Sequence, residues 1–128
     1  MYKTIQNIKG RIGNQLFEIA NGYSYSKRHN RKLLLYLPQE RDTYYKKYEW
    51  ITSMFENTNN IDNCAVYHEA GNGSYNKIDN INSDIFLDGY FQDERYFKDY
   101  KNFKDTGQVL MQALENGTFT GANHTCIL

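Results

Sequence analysis

Two short stretches of this sequence have residue types and spacing suited to handling a polar or charged ligand. Gly10-Arg11-Ile12-Gly13-Asn14-Gln15 places glycines, a guanidinium and two amides side by side. Where such a segment joins the end of a strand to the start of a helix, free backbone N–H groups and the positive end of the helix dipole attract phosphate or another anion. It is neither the dinucleotide fingerprint with its three spaced glycines nor a P-loop with its Lys and Ser or Thr. On residue types alone, a ligand-binding loop and a structural turn both stay open. The second stretch, Gln92-Asp93-Glu94-Arg95, could line a polar site, but a helix cap followed by exposed charges accounts for it equally well. His29 and His68 have no motif partner and read as solvated or structural histidines.

The elements around these stretches predict how they are positioned. Thr4 to Ile8 alternates apolar and polar side chains as a short strand does, and the glycines that follow end it. From Gln15, Leu16, Ile19, Ala20 and Tyr23 recur at helical spacing, Phe17 widens the stripe, and Lys27-Arg28-His29-Asn30 suits the negative pole of the helix. Leu33 to Leu37 is a continuous apolar run stopped by Pro38, the pattern of a strand buried on both faces. The first 38 residues therefore predict one βαβ unit with a right-handed crossover. Gln39 to Asn63 fits one short helix or an ordered loop. Cys64 to Tyr67 reads as a further strand, and Gly71 to Ser74 as a turn. Asp84 to Asp88 reads as a strand ended by Gly89. Asp93 then caps a helix whose apolar face is Tyr96, Phe97 and Tyr100. The class is α/β with an open, mostly parallel sheet.

Composition narrows the function classes. At 128 residues the chain suits one domain, assigned to residues 1–104. All 15 Lys and Arg and all 12 Tyr precede residue 105, so 105–128 is a compositionally distinct tail. Leu110, Met111 and Leu114 could give it an amphipathic helix; a frameshift-derived ending is the other reading. Fifteen basic residues against fifteen acidic ones provide no general attraction to nucleic acid or an anionic membrane, so neither is an expected partner. The longest apolar run is too short to span a bilayer, and the basic-plus-apolar pattern of a secretory signal is missing; a cytoplasmic protein is expected. Cys64 and Cys126 suggest free thiols rather than a disulfide framework, and no metal site is expected.

Gly10-Arg11-Ile12-Gly13-Asn14-Gln15-Leu16-Phe17 resembles the opening Gly-x-Leu-Gly-Asn-Gln-Leu/Met-Phe motif of the α-1,2-fucosyltransferases. Arg31-Lys32-Leu33-Leu34-Leu35 is similar to the strand after that family's first helix. Asp88-Gly89-Tyr90-Phe91-Gln92-Asp93-Glu94-Arg95-Tyr96-Phe97 resembles its Asp-Gly-Tyr-Phe/Trp-Gln-Ser-Glu-Lys-Tyr-Phe block. The similarity runs over residues 4–100. It implies the N-terminal Rossmann-like half of a GT-B-like glycosyltransferase, with GDP-fucose as donor, a galactose-type hydroxyl on a glycan acceptor, inversion at the sugar carbon and no required metal or other cofactor. Asn14 would lie at the active-site cleft, hydrogen-bonding a sugar or phosphate oxygen. Arg11 would offset charge on the departing diphosphate. Gly10, Gly13, Gln15 and, more weakly, Gln92 are carried over as substrate-binding residues. An acceptor hydroxyl also needs a base, and Asp42, Glu49 and Asp93 qualify without one being preferred.

The sequence departs from the family at one point. The His-x-Arg-Arg-Gly-Asp segment, whose arginine is expected to bind the donor diphosphate, does not occur here. The expectation is therefore a truncated transferase, inactive alone because the donor-binding domain is missing. The alternatives are one subunit of a split enzyme whose donor domain is a separate chain, or a noncatalytic glycan-binding or assembly module.

Overall fold

The computed structural model describes residues 1–10, 12–37, 55–70 and 74–97. Five strands form one sheet: β1 (Lys3–Asn7), β2 (Lys32–Tyr36), β3 (Asn57–Thr58), β4 (Ala65–His68) and β5 (Ile85–Asp88). Their order across the sheet is β3-β2-β1-β5-β4, and every neighbouring pair is parallel. One helix, α1 (Ile12–Arg28), connects β1 to β2, giving the α/β class expected. The expected strands at Thr4, Leu33, Cys64 and Asp84 are all present with ends shifted by about one residue. The two-residue β3 was not foreseen. Asn57-Thr58 has no strand-like pattern, and it pairs with β2 because Leu35 N–H donates to the Glu56 carbonyl. Tyr100, Asp42, Glu49 and residues 105–128 lie outside the described residues.

The alternation in β1 does not mark a wet face. Thr4, Ile5 and Gln6 are all buried, because β1 is flanked by β2 and β5 and α1 lies over it. Its two polar side chains persist there because each is hydrogen-bonded. Asn21 Nδ2 donates to Gln6 Oε1 (2.9 Å), and Arg31 Nε donates to Thr4 Oγ1 (3.1 Å). Gly22 lets the helix come this close: a Cβ there would lie 2.9 Å from Gln6 Cβ and 3.0 Å from Leu33 Cδ1. Glycine inside a helix costs about 1 kcal/mol against alanine, and the close helix–strand contact offsets it.

The helix begins at Ile12 rather than at the expected Gln15, so Gly13 and Asn14 belong to its first turn. Gly10, at φ 79°, makes the sharp entry turn, and Gln15 Nε2 reaches back to donate to the Gly10 carbonyl (2.9 Å). Leu16, Ile19 and Ala20 are buried as the spacing predicts, but Tyr25, not Tyr23, is the deeply buried tyrosine of the last turns. The helix ends in a Schellman motif. Arg31 N–H donates to the Ser26 carbonyl, Asn30 N–H donates to the Lys27 carbonyl, and Asn30 adopts φ 53°.

Between β4 and β5 the described chain 74–84 carries no helix, although parallel neighbours are usually joined by one. Its place over the sheet is held in two ways. Ile78 packs with Ala20, Tyr25, Ile85, Leu87, Phe91, Tyr96 and Phe97 in one apolar cluster. Arg31, only 7% exposed, supplies the hydrogen bonds: its guanidinium donates to the carbonyls of Lys3, Ile81 and Ser83 and to Asn80 Oδ1, besides Thr4. Tyr25 OH donates to the Asp79 carbonyl at 2.8 Å. Arg31→Met keeps the stem but leaves these acceptors unpaired, and should cost about 3–5 kcal/mol in urea denaturation. A loss under about 1 kcal/mol would mean that the apolar cluster alone holds the crossover.

Candidate functional site

All five described strands point their carboxyl ends the same way, and the connection from β3 to β4 carries the chain from one edge of the sheet to the other. From β1 it moves outward through β2 to β3, then returns on the far side through β4 to β5. β5 lies beside β1, and the loops leaving these two strands meet at the carboxyl edge, the edge at which open α/β sheets bind ligands. Both stretches singled out from the sequence meet here.

Asn14, on the first turn of α1, accepts a 2.6 Å hydrogen bond at Oδ1 from Gln92 Nε2, across 78 residues of sequence. Its Nδ2 therefore points a donor away from that bond. A Cβ on Gly10 would come within 2.8 Å of Asn14 Nδ2 and 3.2 Å of the Tyr90 ring, so only glycine fits where the two loops touch. Lys9 Nζ lies 4.9 Å from the centre of the Tyr90 ring. Gly13 is buried in the helix, and Gln15 is buried as a brace for Gly10, with Oε1 unpartnered. The structure thus brings Gly10, Asn14 and Gln92 together at the surface and sets Gly13 and Gln15 behind them. Arg11 lies outside the described residues.

The loop after β5 is held in an unusual conformation. Phe91 is fully buried yet adopts φ 50°, a region bulky side chains rarely enter and which costs on the order of 1–3 kcal/mol. Its ring packs against Tyr96 (5.1 Å) and Tyr67 (6.4 Å), which ties the backbone in place. Glu69, just beyond β4, fixes the turn from below: Oε1 accepts the N–H groups of both Tyr90 and Phe91 at 2.9 Å. Gly89 has no room for a side chain against Glu69. The result is a set position for Gln92.

Beneath the loops sits a group of charges that sequence reasoning missed. Asp88, the last residue of β5, accepts from Asn7 Nδ2 (2.8 Å) and Lys9 Nζ (3.1 Å) at Oδ1, and its Oδ2 is 2.9 Å from His68 Nδ1. Burial works against its charged form, but the bonds from Asn7 and Lys9, the lysine charge and the His68 bond outweigh it and hold the carboxyl below its usual range. Glu18 has the opposite fate. It is fully buried on α1, accepts only Lys9 N–H at Oε1 (2.9 Å), and has Oε2 enclosed without a partner. Desolvation raises its carboxyl well above the ordinary value and outweighs the Lys9 bond and charge. The signals were thin: Asp88 and His68 each end an apolar run, and nothing in the sequence pairs strands that lie twenty residues apart.

The other acid–base candidates separate by place. Asp93 caps the 3-10 turn Glu94–Tyr96 found where a helix was expected, and Arg95 donates to both its oxygens. Those bonds bring its carboxyl down to about 2, too low for an effective base. His29 follows α1 at the opposite end of the sheet, against Tyr25, so it is remote from the crevice. Among the described residues no three His, Cys, Asp or Glu side chains converge to hold a metal, and no helix is long and apolar enough to cross a membrane. Comparison with protein-family models, with curated proteins and with solved structures gave no match.

Glu18 makes the pH dependence of stability testable. Its raised native value means that the neutral carboxyl's contribution is whole below the ordinary value of 4.5 and declines as pH rises through the native one. Glu18→Gln keeps the acceptor for Lys9 N–H and cannot ionise. Urea denaturation across that range should show wild-type stability falling relative to the variant; parallel curves would mean that Glu18 ionises without penalty.

Proposed function

We propose that this chain is the N-terminal Rossmann-like half of a GT-B-like glycosyltransferase of the α-1,2-fucosyltransferase type, with its acceptor and donor meeting at the β1–β5 crevice. The observation that carries the reading is the Asn14–Gln92 hydrogen bond. It joins the two segments that resemble separate motifs of that family, at the edge of a parallel sheet where ligands bind. Chance similarity of two stretches gives no reason for their side chains to meet. The strained, braced loop that delivers Gln92 supports the same reading, since backbone strain persists where a fixed geometry is needed.

In this proposal the Asn14 amide hydrogen-bonds a sugar or phosphate oxygen, and Arg11 offsets charge as the nucleoside diphosphate leaves GDP-fucose. The acceptor oxygen attacks the sugar carbon from the opposite side, which inverts it. The diphosphate-gripping His-x-Arg-Arg-Gly-Asp segment is not within these 128 residues, so we assign that role to a further domain or a partner chain.

The test is a titration of the isotope-labelled chain with methyl β-galactoside and, separately, with GDP-fucose, followed by NMR. At least one should shift the amides of residues 10, 14 and 89–92 saturably. Asn14→Ala should weaken that binding about fivefold to tenfold, the value of one hydrogen bond, with thermal unfolding unchanged. Binding indifferent to Asn14, or no response to either ligand from a folded chain, overturns the reading.

A further inference from the structure

Transfer to a hydroxyl requires a proton acceptor, and the described carboxylates at the crevice are otherwise engaged. Glu18 is enclosed, Glu69 binds two backbone N–H groups, and Asp93 is bound by Arg95. We propose that His68, oriented by Asp88, takes the proton of the acceptor hydroxyl at its Nε2 atom; this rests on the glycosyltransferase reading above.

The geometry is that of a carboxylate-oriented imidazole. His68 and Asp88 are register partners at the carboxyl ends of neighbouring parallel strands, β4 and β5, so both face the edge where the two loops converge. Asn7 and Lys9 occupy Asp88 Oδ1 and leave Oδ2 to His68 Nδ1 at 2.9 Å. An ionised carboxylate can only accept, so Nδ1 carries the hydrogen and the neutral ring presents its lone pair at Nε2. The His68 side chain is 71% exposed, so Nε2 is open to a substrate hydroxyl, while the Asp88 side chain beneath it is 23% exposed. Among the described residues, the titratable groups around the pair are Lys9 from the β1–α1 loop, Glu18 from α1, and Glu69, the residue after His68. A histidine with one nitrogen fixed by a carboxylate and the other free is the arrangement that activates hydroxyls in hydrolases.

The acceptor O–H bond breaks with its proton passing to Nε2, and the oxygen forms a bond to the anomeric carbon. The bond from that carbon to the diphosphate oxygen breaks, its electron pair leaving with the nucleoside diphosphate. The imidazolium, stabilised by Asp88, then releases its proton to water.

The experiment uses the full 128-residue chain with 15N-labelled histidine, titrated with methyl β-galactoside and with its 2-deoxy analogue. In the free protein the neutral ring should show the tautomer protonated at Nδ1. The galactoside should move the His68 Nε2 signal saturably, and the analogue lacking the hydroxyl should leave it still. His68→Gln should weaken galactoside binding roughly threefold to tenfold, while the Asn14 amide still responds at saturation. A neutral ring protonated at Nε2 overturns the proposal. So does galactoside binding that depends on Asn14 but leaves the His68 signal unmoved, in which case the glycosyltransferase reading survives. If neither the galactoside nor GDP-fucose binds, both fall.

Discussion

The guanidinium of Arg31 is the interaction on which the rest of the sheet depends. It lies under the amino ends of β1 and β5 and donates to groups from β1 and from the irregular crossover that precedes β5. A crossover helix would satisfy its own backbone, but this segment cannot, so a single side chain with five N–H donors fills that role. Among the described residues no carboxylate pairs with this charge. Oxygen dipoles and the nearby rings of Tyr2 and Tyr25, at 5.7 and 5.6 Å, surround it instead. Because β5 enters the sheet through this anchor, so do Asp88, the strained loop and Gln92 at the other end.

At that other end, three carboxyl groups within one neighbourhood meet different surroundings. Burial raises the Glu18 carboxyl, amide and ammonium donors lower that of Asp88, and Glu69 accepts two backbone N–H groups. Three free carboxylates at such proximity would repel one another. Their different environments leave Asp88 as the carboxyl that carries an exposed imidazole.

The first βαβ unit was legible in the sequence because its signals are local: helical spacing in Leu16, Ile19 and Ala20, and the apolar run from Leu33. The meeting of the two loops was not, because it depends on β5 lying beside β1 rather than at the edge, and side-chain periodicity carries no information about strand order. The burial of the polar residues in β1 was not legible for a related reason. Thr4 and Gln6 are the polar members of an alternating strand, and their partners Arg31 and Asn21 come from elsewhere in the chain. Asp93 was readable as a cap, since its consequence falls two residues away. Lys9, His68 and Asp88 come from three separate segments and could be joined only in space.

The strand order also has a temporal consequence. β1 precedes the other described strands in the chain, but its partner on one side is β5, the last of them. A chain growing from the ribosome can pair β1 with β2 early and must hold the other edge of β1 open until residue 85 and beyond have emerged. Closing that edge carries the loop-closure cost of a long separation, which slows folding. The crevice comes into being only in the closing step, so Asn14 and Gln92 cannot meet before β5 is in place.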